Sequence, residues 1–264
     1  MTISPYSDHH HPSSSPTTTT TNSTISLALK AVALFVVVAG LQFVLAGKEK
    51  KDDNNKPSRL SRAAQRRIQH TVTGLAIVQV SYAIPHWNVC VGLLLVATIG
   101  LYILHRYYFD VFRQAFGAIL RPAEVQRQRL PGALYFVLGT LVTMILLQLS
   151  STNEDENWMI LRYAIECLSL ADPMASWVGS SVQSPRLSKG SSLAGCLACF
   201  GTALAIGYLR LIRATNDGST GTIPVIVGAI GCTLAEAIPF ADDNLTIPVS
   251  ISMVVRFCYW FSKD

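Results

Sequence analysis

Long apolar runs alternate with short polar connections along this chain, and their spacing predicts helices at 25–46, 70–84, 87–104, 132–149, 158–178, 192–212, 222–240 and 246–261. A run of about 20 apolar residues is what a helix needs to cross a hydrocarbon core of roughly 30 Å. Pro85, His86, Trp87 and Asn88 form a turn signal, so the runs on either side should fold as a tight hairpin. The fold class expected is all-α, a polytopic transmembrane helical bundle of about seven or eight helices.

Composition sharpens that picture. Of the 264 residues only 14% are charged and 50% are hydrophobic, whereas soluble domains carry roughly 25% charge. Residues 1–24 are rich in Ser, Thr and Pro, carry His9, His10 and His11 and contain no Lys or Arg. Such a segment cannot bury a core and is expected to be a disordered tail. The run 25–46 is too long for a signal-peptide core, and Lys48, Lys50 and Lys51 follow it, so it reads as an N-terminal transmembrane anchor. A basic cytosolic linker at 47–69 and a membrane-embedded domain at 70–264 complete the expected organisation.

The net charge of +5 does not point to nucleic acid, because the cations sit in the connections and form no continuous stripe. They report topology. Eight fall in 47–69 (Lys48, Lys50, Lys51, Lys56, Arg59, Arg62, Arg66 and Arg67) and five in 105–130 (Arg106, Arg113, Arg121, Arg127 and Arg129). Arg186 and Lys189 occupy 179–191, while 150–157 holds only acids, Glu154, Asp155 and Glu156. Threading the helices with the first tail outside puts His70, the 105–130 loop, Asp172, Lys189 and Asp242 with Asp243 near the cytosolic face. Arg210 and Arg213 fall on the other side and are expected to snorkel to the far interface. The six cysteines lie in or beside apolar runs and read as small hydrophobes, including Cys196-x-x-Cys199, which has redox spacing but no second ligand pair.

Ionisable groups within or beside membrane helices are costly and tend to mark function. Here they are Glu166, Asp172, Glu236, Asp242 and Asp243. Asp172, in "ADPMASWVG", either caps a break at Pro173 or meets a cation or hydroxyl; Ala175, Ser176 and Gly179 keep its surroundings small. "SPRLSKGSSLAG" (184–195) joins glycines, hydroxyls, Arg186 and Lys189 to a helix start, which suits phosphate or is a plain polar loop. Asp242 and Asp243, beside Asn244 and Thr246, offer hard oxygen ligands of the kind Mg²⁺ takes with substrate phosphates, or form a solvated turn. In "RRIQHTVTG" (66–74), Arg66, Arg67 and His70 either anchor the helix at the interface or bind phosphate or headgroup.

These stretches, in this order, resemble the integral-membrane lipid kinases that include CTP-dependent diacylglycerol kinase, dolichol kinase and phytol or farnesol kinase. "RRIQHTVTG" is similar to that family's R-K-x-x-H-x-x-x-G, "PGALYFVLG" (131–139) to G-x-x-Y-F-x-x-G, and "ADPMASWVG" to G-D-x-x-A-x-x-x-G. "LAEAIPFADDNLTIP" (234–248) is similar to E-x-x-x-x-x-x-D-D-N-L-x-x-P and is the most specific of the four. The chain departs from the pattern at Ala171, where the family has Gly, in "GSSVQS" (179–184), and at Ser191, where the family has Lys; Lys189 stands two residues earlier.

The resemblance implies phosphoryl transfer from CTP to a membrane lipid alcohol at the cytosolic face of the bilayer. It implies Asp172 and Asp243 as catalytic groups and Asp172, Asp242, Asp243 and Glu236 around Mg²⁺. Lys189, Ser192, Gly195, Arg67, His70 and Asn244 would serve nucleotide and phosphate. Diacylglycerol is the acceptor favoured, with dolichol and phytol or farnesol as alternatives. The competing expectations are a phosphatidate cytidylyltransferase-like enzyme and a non-enzymatic membrane protein or transporter. The absence of Arg from the Ser/Thr-rich start favours the endoplasmic reticulum membrane over a plastid membrane.

Overall fold

The computed structural model describes residues 59–84, 86–116, 120–126, 129–187, 191–212, 218–238 and 241–261. The tail, the anchor at 25–46 and Lys189 lie outside these residues. The described chain is all-α; its one extended feature is an isolated antiparallel bridge between Arg186 and Ser192.

Helix α1, Arg59–Ala83, begins ahead of the expected 70. The residues at 59–69, expected as linker, are polar but rich in strong helix formers such as Arg, Ala, Gln and Leu, so the helix starts before the apolar run does. Next come α2 (Trp87–Tyr107), α3 (Phe109–Phe116), the short α4 (Pro122–Val125) and α5 (Gly132–Ser150). Helix α6, Glu154–Glu166, continues through a π-helical turn, Cys167–Ala171, into α7, Asp172–Ser181. Helix α8 (Leu193–Gly207) ends in a second π turn, Tyr208–Ile212, and α9 (Gly218–Ala237) and α10 (Asp243–Phe261) follow. By length and composition α2, α5 and the segment 193–212 can each cross a membrane.

Helix α6 is the centre. Ile160, Tyr163, Ala164 and Ile165 are fully enclosed, and α1, α5, α8 and α10 pack around it, as expected of a helix buried on every side. Its two buried carboxylates are paired. Glu156 accepts from Arg256 at 2.8 Å, and Arg256 also donates to Asn157. Glu166 accepts twice from Arg210 in the second π turn, and Arg210 donates to the Tyr82 hydroxyl at 2.8 Å. A carboxylate thus holds Arg210 against the bundle; Arg213, expected to snorkel with it, lies outside the described residues. Trp87 meets Trp158 edge to face at 4.7 Å, fixing the start of α2 against α6.

Candidate metal and ligand site

The π turn builds the site from the backbone outward. Pro173 has no N–H to give to the carbonyls four and five residues behind it, Ser169 and Leu168. Helix α1 supplies both missing donors: His70 Nε2 to the Leu168 carbonyl at 3.0 Å and Thr71 Oγ1 to the Ser169 carbonyl at 2.8 Å. Gly74 lets the helices approach this closely, for a Cβ there would lie 1.6 Å from Ser169 Oγ. The same contact sets His70 Nε2 3.6 Å from Asp172 Oδ2. Bulges of this kind recur at functional sites.

At that point three carboxylates converge. Asp172, at the head of α7, Glu236, near the end of α9, and Asp243, the first residue of α10, bring one oxygen each within 4.8 Å of one another, and all three are half-buried. Glu236 Oε2 is enclosed and has no hydrogen-bond partner. Three carboxylates this close repel, and an orphaned oxygen costs free energy, so the residues fit a hard cation such as Mg²⁺. Asp243 precedes the apolar run 246–261; burial first, then Asp172 and Asp242, push its carboxyl up to about 7 against the pull of Arg121 and Arg66.

Asp242 is not one of the converging three. Its Oδ1 accepts from the Asn244 backbone N–H at 3.2 Å and the Asn244 amide at 2.6 Å, and its carbonyl accepts from the N–H groups of Leu245 and Thr246. Asp242 is the N-cap of α10, with Arg121 Nη1 3.6 Å from its carboxylate. Asn244 lies against α5, where Gly139 makes room: a Cβ there would come within 2.3 Å of the Asn244 carbonyl oxygen. Of the four acids expected around Mg²⁺, Asp172, Glu236 and Asp243 converge and Asp242 stands apart as a cap.

The remaining expected residues divide. Arg67 is engaged by α7, donating to Ser176 Oγ at 3.0 Å, the Ser176 carbonyl at 3.0 Å and Ser180 Oγ at 3.2 Å, so it clamps α1 to α7. Ser192 N-caps α8, accepting from the Gly195 N–H at 3.2 Å. The other N–H groups of that first turn go to the Pro185 carbonyl, Ser184 Oγ and the Ser192 carbonyl, so an anion there would displace protein partners. Gly195 is a packing residue, since a Cβ would lie 2.8 Å from the Ala175 carbonyl oxygen. Ser191 donates to the Ala237 carbonyl at 3.4 Å, tying this loop to the helix that carries Glu236.

Arg66 was expected as an interface or phosphate residue; Arg121 and Glu124 escaped the sequence reading as site residues. Arg66 and Arg121 line the cavity above the triad with Asp172 and Asp243. Glu124 is buried and accepts from the N–H groups of Arg121 at 2.7 Å and Gly132 at 3.1 Å, which positions Arg121 and caps α5. An acid among the arginines of the 105–130 connection, seven residues ahead of Pro131, was the available signal.

Part of this cluster forms the polar end of a cavity of about 740 Å³. Arg66, His70, Arg121, Asp172, Asp243 and Asn244 line one end, and apolar side chains of α1, α2, α5 and α6 line the rest, with Trp158, Ser81 and Cys90 farthest away. Comparisons with protein-family models, with curated proteins and with solved structures find no match.

Proposed function

We propose that this protein is a multi-pass membrane phosphotransferase that moves the γ-phosphoryl group of CTP to the hydroxyl of a membrane lipid alcohol, with Mg²⁺ as cofactor. The observation that carries the reading is the meeting of Glu236 with Asp172 and Asp243, the last two lining the polar end of a largely apolar cavity. A phosphate-bearing co-substrate suits the charged end and a lipid the apolar remainder. The four segments that resemble the lipid kinases all contribute to this one cavity or its supports.

Asp172, Glu236 and Asp243 would hold Mg²⁺, which when bound neutralises phosphate charge. Arg66 and Arg121 add positive charge beside it. His70, tied to the Leu168 carbonyl, holds its place next to Asp172. Asp243, beside the acceptor hydroxyl, orients it and takes its proton as the phosphoryl group moves. The acceptor oxygen then bonds to the γ-phosphorus, the bridging P–O bond breaks, and CDP leaves with its electron pair. The endoplasmic reticulum membrane, the cytosolic side for the polar end and diacylglycerol as acceptor remain part of this proposal.

The test uses the full chain in liposomes with CTP labelled on the γ-phosphate and a panel of lipid alcohols. Lipid phosphate plus CDP supports the reading. CDP-lipid plus pyrophosphate assigns a cytidylyltransferase instead, and neither product overturns both enzymatic readings.

A further inference from the structure

Helix α2 holds to the bundle mainly through α5 and hardly touches α1, although only three residues separate α1 from α2. The space between them is the apolar part of the cavity. Ala76, Ile77 and Val80 of α1 face Leu94, Ala97 and Leu101 of α2 across it. It opens sideways as well: Leu93 and Val96 line the cavity yet remain 49% and 69% exposed. Helix α2 is also among the helices apolar enough to cross a membrane, with Leu95, Ile99 and Ile103 exposed on its outer side. The opening therefore gives onto hydrocarbon.

We infer that the cleft between α1 and α2 is the binding site for one apolar chain of a membrane amphiphile, taken sideways from the bilayer, with its polar head at Asp172 and Asp243. At a rise of about 1.5 Å per residue, His70 to Ser81 spans about 16 Å and Trp158 to Asp172 about 21 Å. Half of a roughly 30 Å hydrocarbon core is about 15 Å. A chain in the cleft thus lies at about the depth it had in its own leaflet, and the head reaches the charged end without the chain crossing water. The Trp87–Trp158 contact closes the far end. Gly100 sets the room at mid-length: it lines the cavity, and a Cβ there meets no atom within 4 Å.

The inference rests on the phosphotransfer reading only for what stands at the head. It is tested with the full chain in liposomes containing a long-chain primary alcohol that carries a photoreactive diazirine near its tail end. Adducts are expected on inward residues such as Leu94, Ala97, Val137 and Met144. Gly100→Phe, which fills the cleft without displacing protein, should cut that labelling by about tenfold or more. Gly92→Phe, on the same helix, equally uncrowded and off the cavity, should leave it unchanged. Equal labelling in the two variants, or adducts confined to Leu95, Ile99 and Ile103, overturns the inference. Cleft labelling without lipid phosphate would retire the phosphotransfer reading and leave the chain site standing; lipid phosphate formation with labelling indifferent to Gly100→Phe would do the reverse.

Discussion

The His70 imidazole donates to the Leu168 carbonyl at 3.0 Å because Pro173 offers no N–H to the turn behind it. A helix defect on one element and a histidine on another thus explain each other, and Asp172 sits at their junction. Burial of an unpaired carbonyl costs about 1–3 kcal/mol, so His70→Ala should lower the unfolding temperature. Pro173→Ala restores an N–H, and the double variant should lose less than the sum of the two single losses. Strict additivity in thermal unfolding of the detergent-solubilised protein would refute the coupling.

Adjacent aspartates in this structure have different jobs, and substitution should separate them. Asp172→Asn, Glu236→Gln and Asp243→Asn should each weaken Mn²⁺ binding, read by paramagnetic resonance, and cut lipid-phosphate formation by about 100-fold or more. Asp242→Ala removes a helix cap and should cost about 0.5–2 kcal/mol of stability. Asp242→Asn, which keeps an acceptor for the Asn244 N–H, should retain Mn²⁺ binding. Loss of the ion in Asp242→Asn would place this residue among the ligands after all.

The all-α fold and the polar cluster at one end were legible in the sequence because apolar run length and charge placement are local signals. The apolar runs located α2, α5, α8, α9 and α10 to within a few residues at most ends. They missed the start of α1 at Arg59, because a helix that leaves the apolar zone keeps its propensity while losing its hydrophobicity. The choice of Glu236 over Asp242 was not legible. Asp242 and Asp243 are neighbours in sequence, but the cap geometry at the head of α10 sends their carboxylates to different partners. Arg67 likewise looks free in sequence and is bound to Ser176 in space. Gly139 and Asn244 lie more than a hundred residues apart, and only packing reveals that one makes room for the other.

Protons and cations should compete at Asp243. Its carboxyl rises on folding from 3.8 to about 7, so between those values the folded chain binds more protons than the unfolded one. Stability of the cation-free protein should therefore fall as pH rises from about 4 to 7. Added Mg²⁺ should offset that loss at pH 8 more than at pH 6, and Mn²⁺ affinity should drop by about tenfold per pH unit below 7. Thermal unfolding across pH, with and without Mg²⁺, checks the sign; a cation-free protein more stable at pH 8 than at pH 6 contradicts it. Asp243→Asn should flatten the pH dependence.

The placement of Asp243 depends on a residue that carries no chemistry. Gly139 lies where α5 passes the first turn of α10, and a methyl group there would sit 2.3 Å from the Asn244 carbonyl oxygen and 3.0 Å from Leu245 Cα. Both are backbone atoms, so the clash cannot be relieved by a rotamer change and must move the turn. Gly139→Ala should therefore weaken Mn²⁺ binding as well as stability, although it touches no ligand. Gly92→Ala, with open space around it, should be neutral or stabilising by up to about 1 kcal/mol through helix propensity. If Gly139→Ala lowers the unfolding temperature but leaves Mn²⁺ affinity unchanged, α5 does not position the carboxylate. If both fall together while Gly92→Ala changes neither adversely, the contact between α5 and α10 holds the metal site in register.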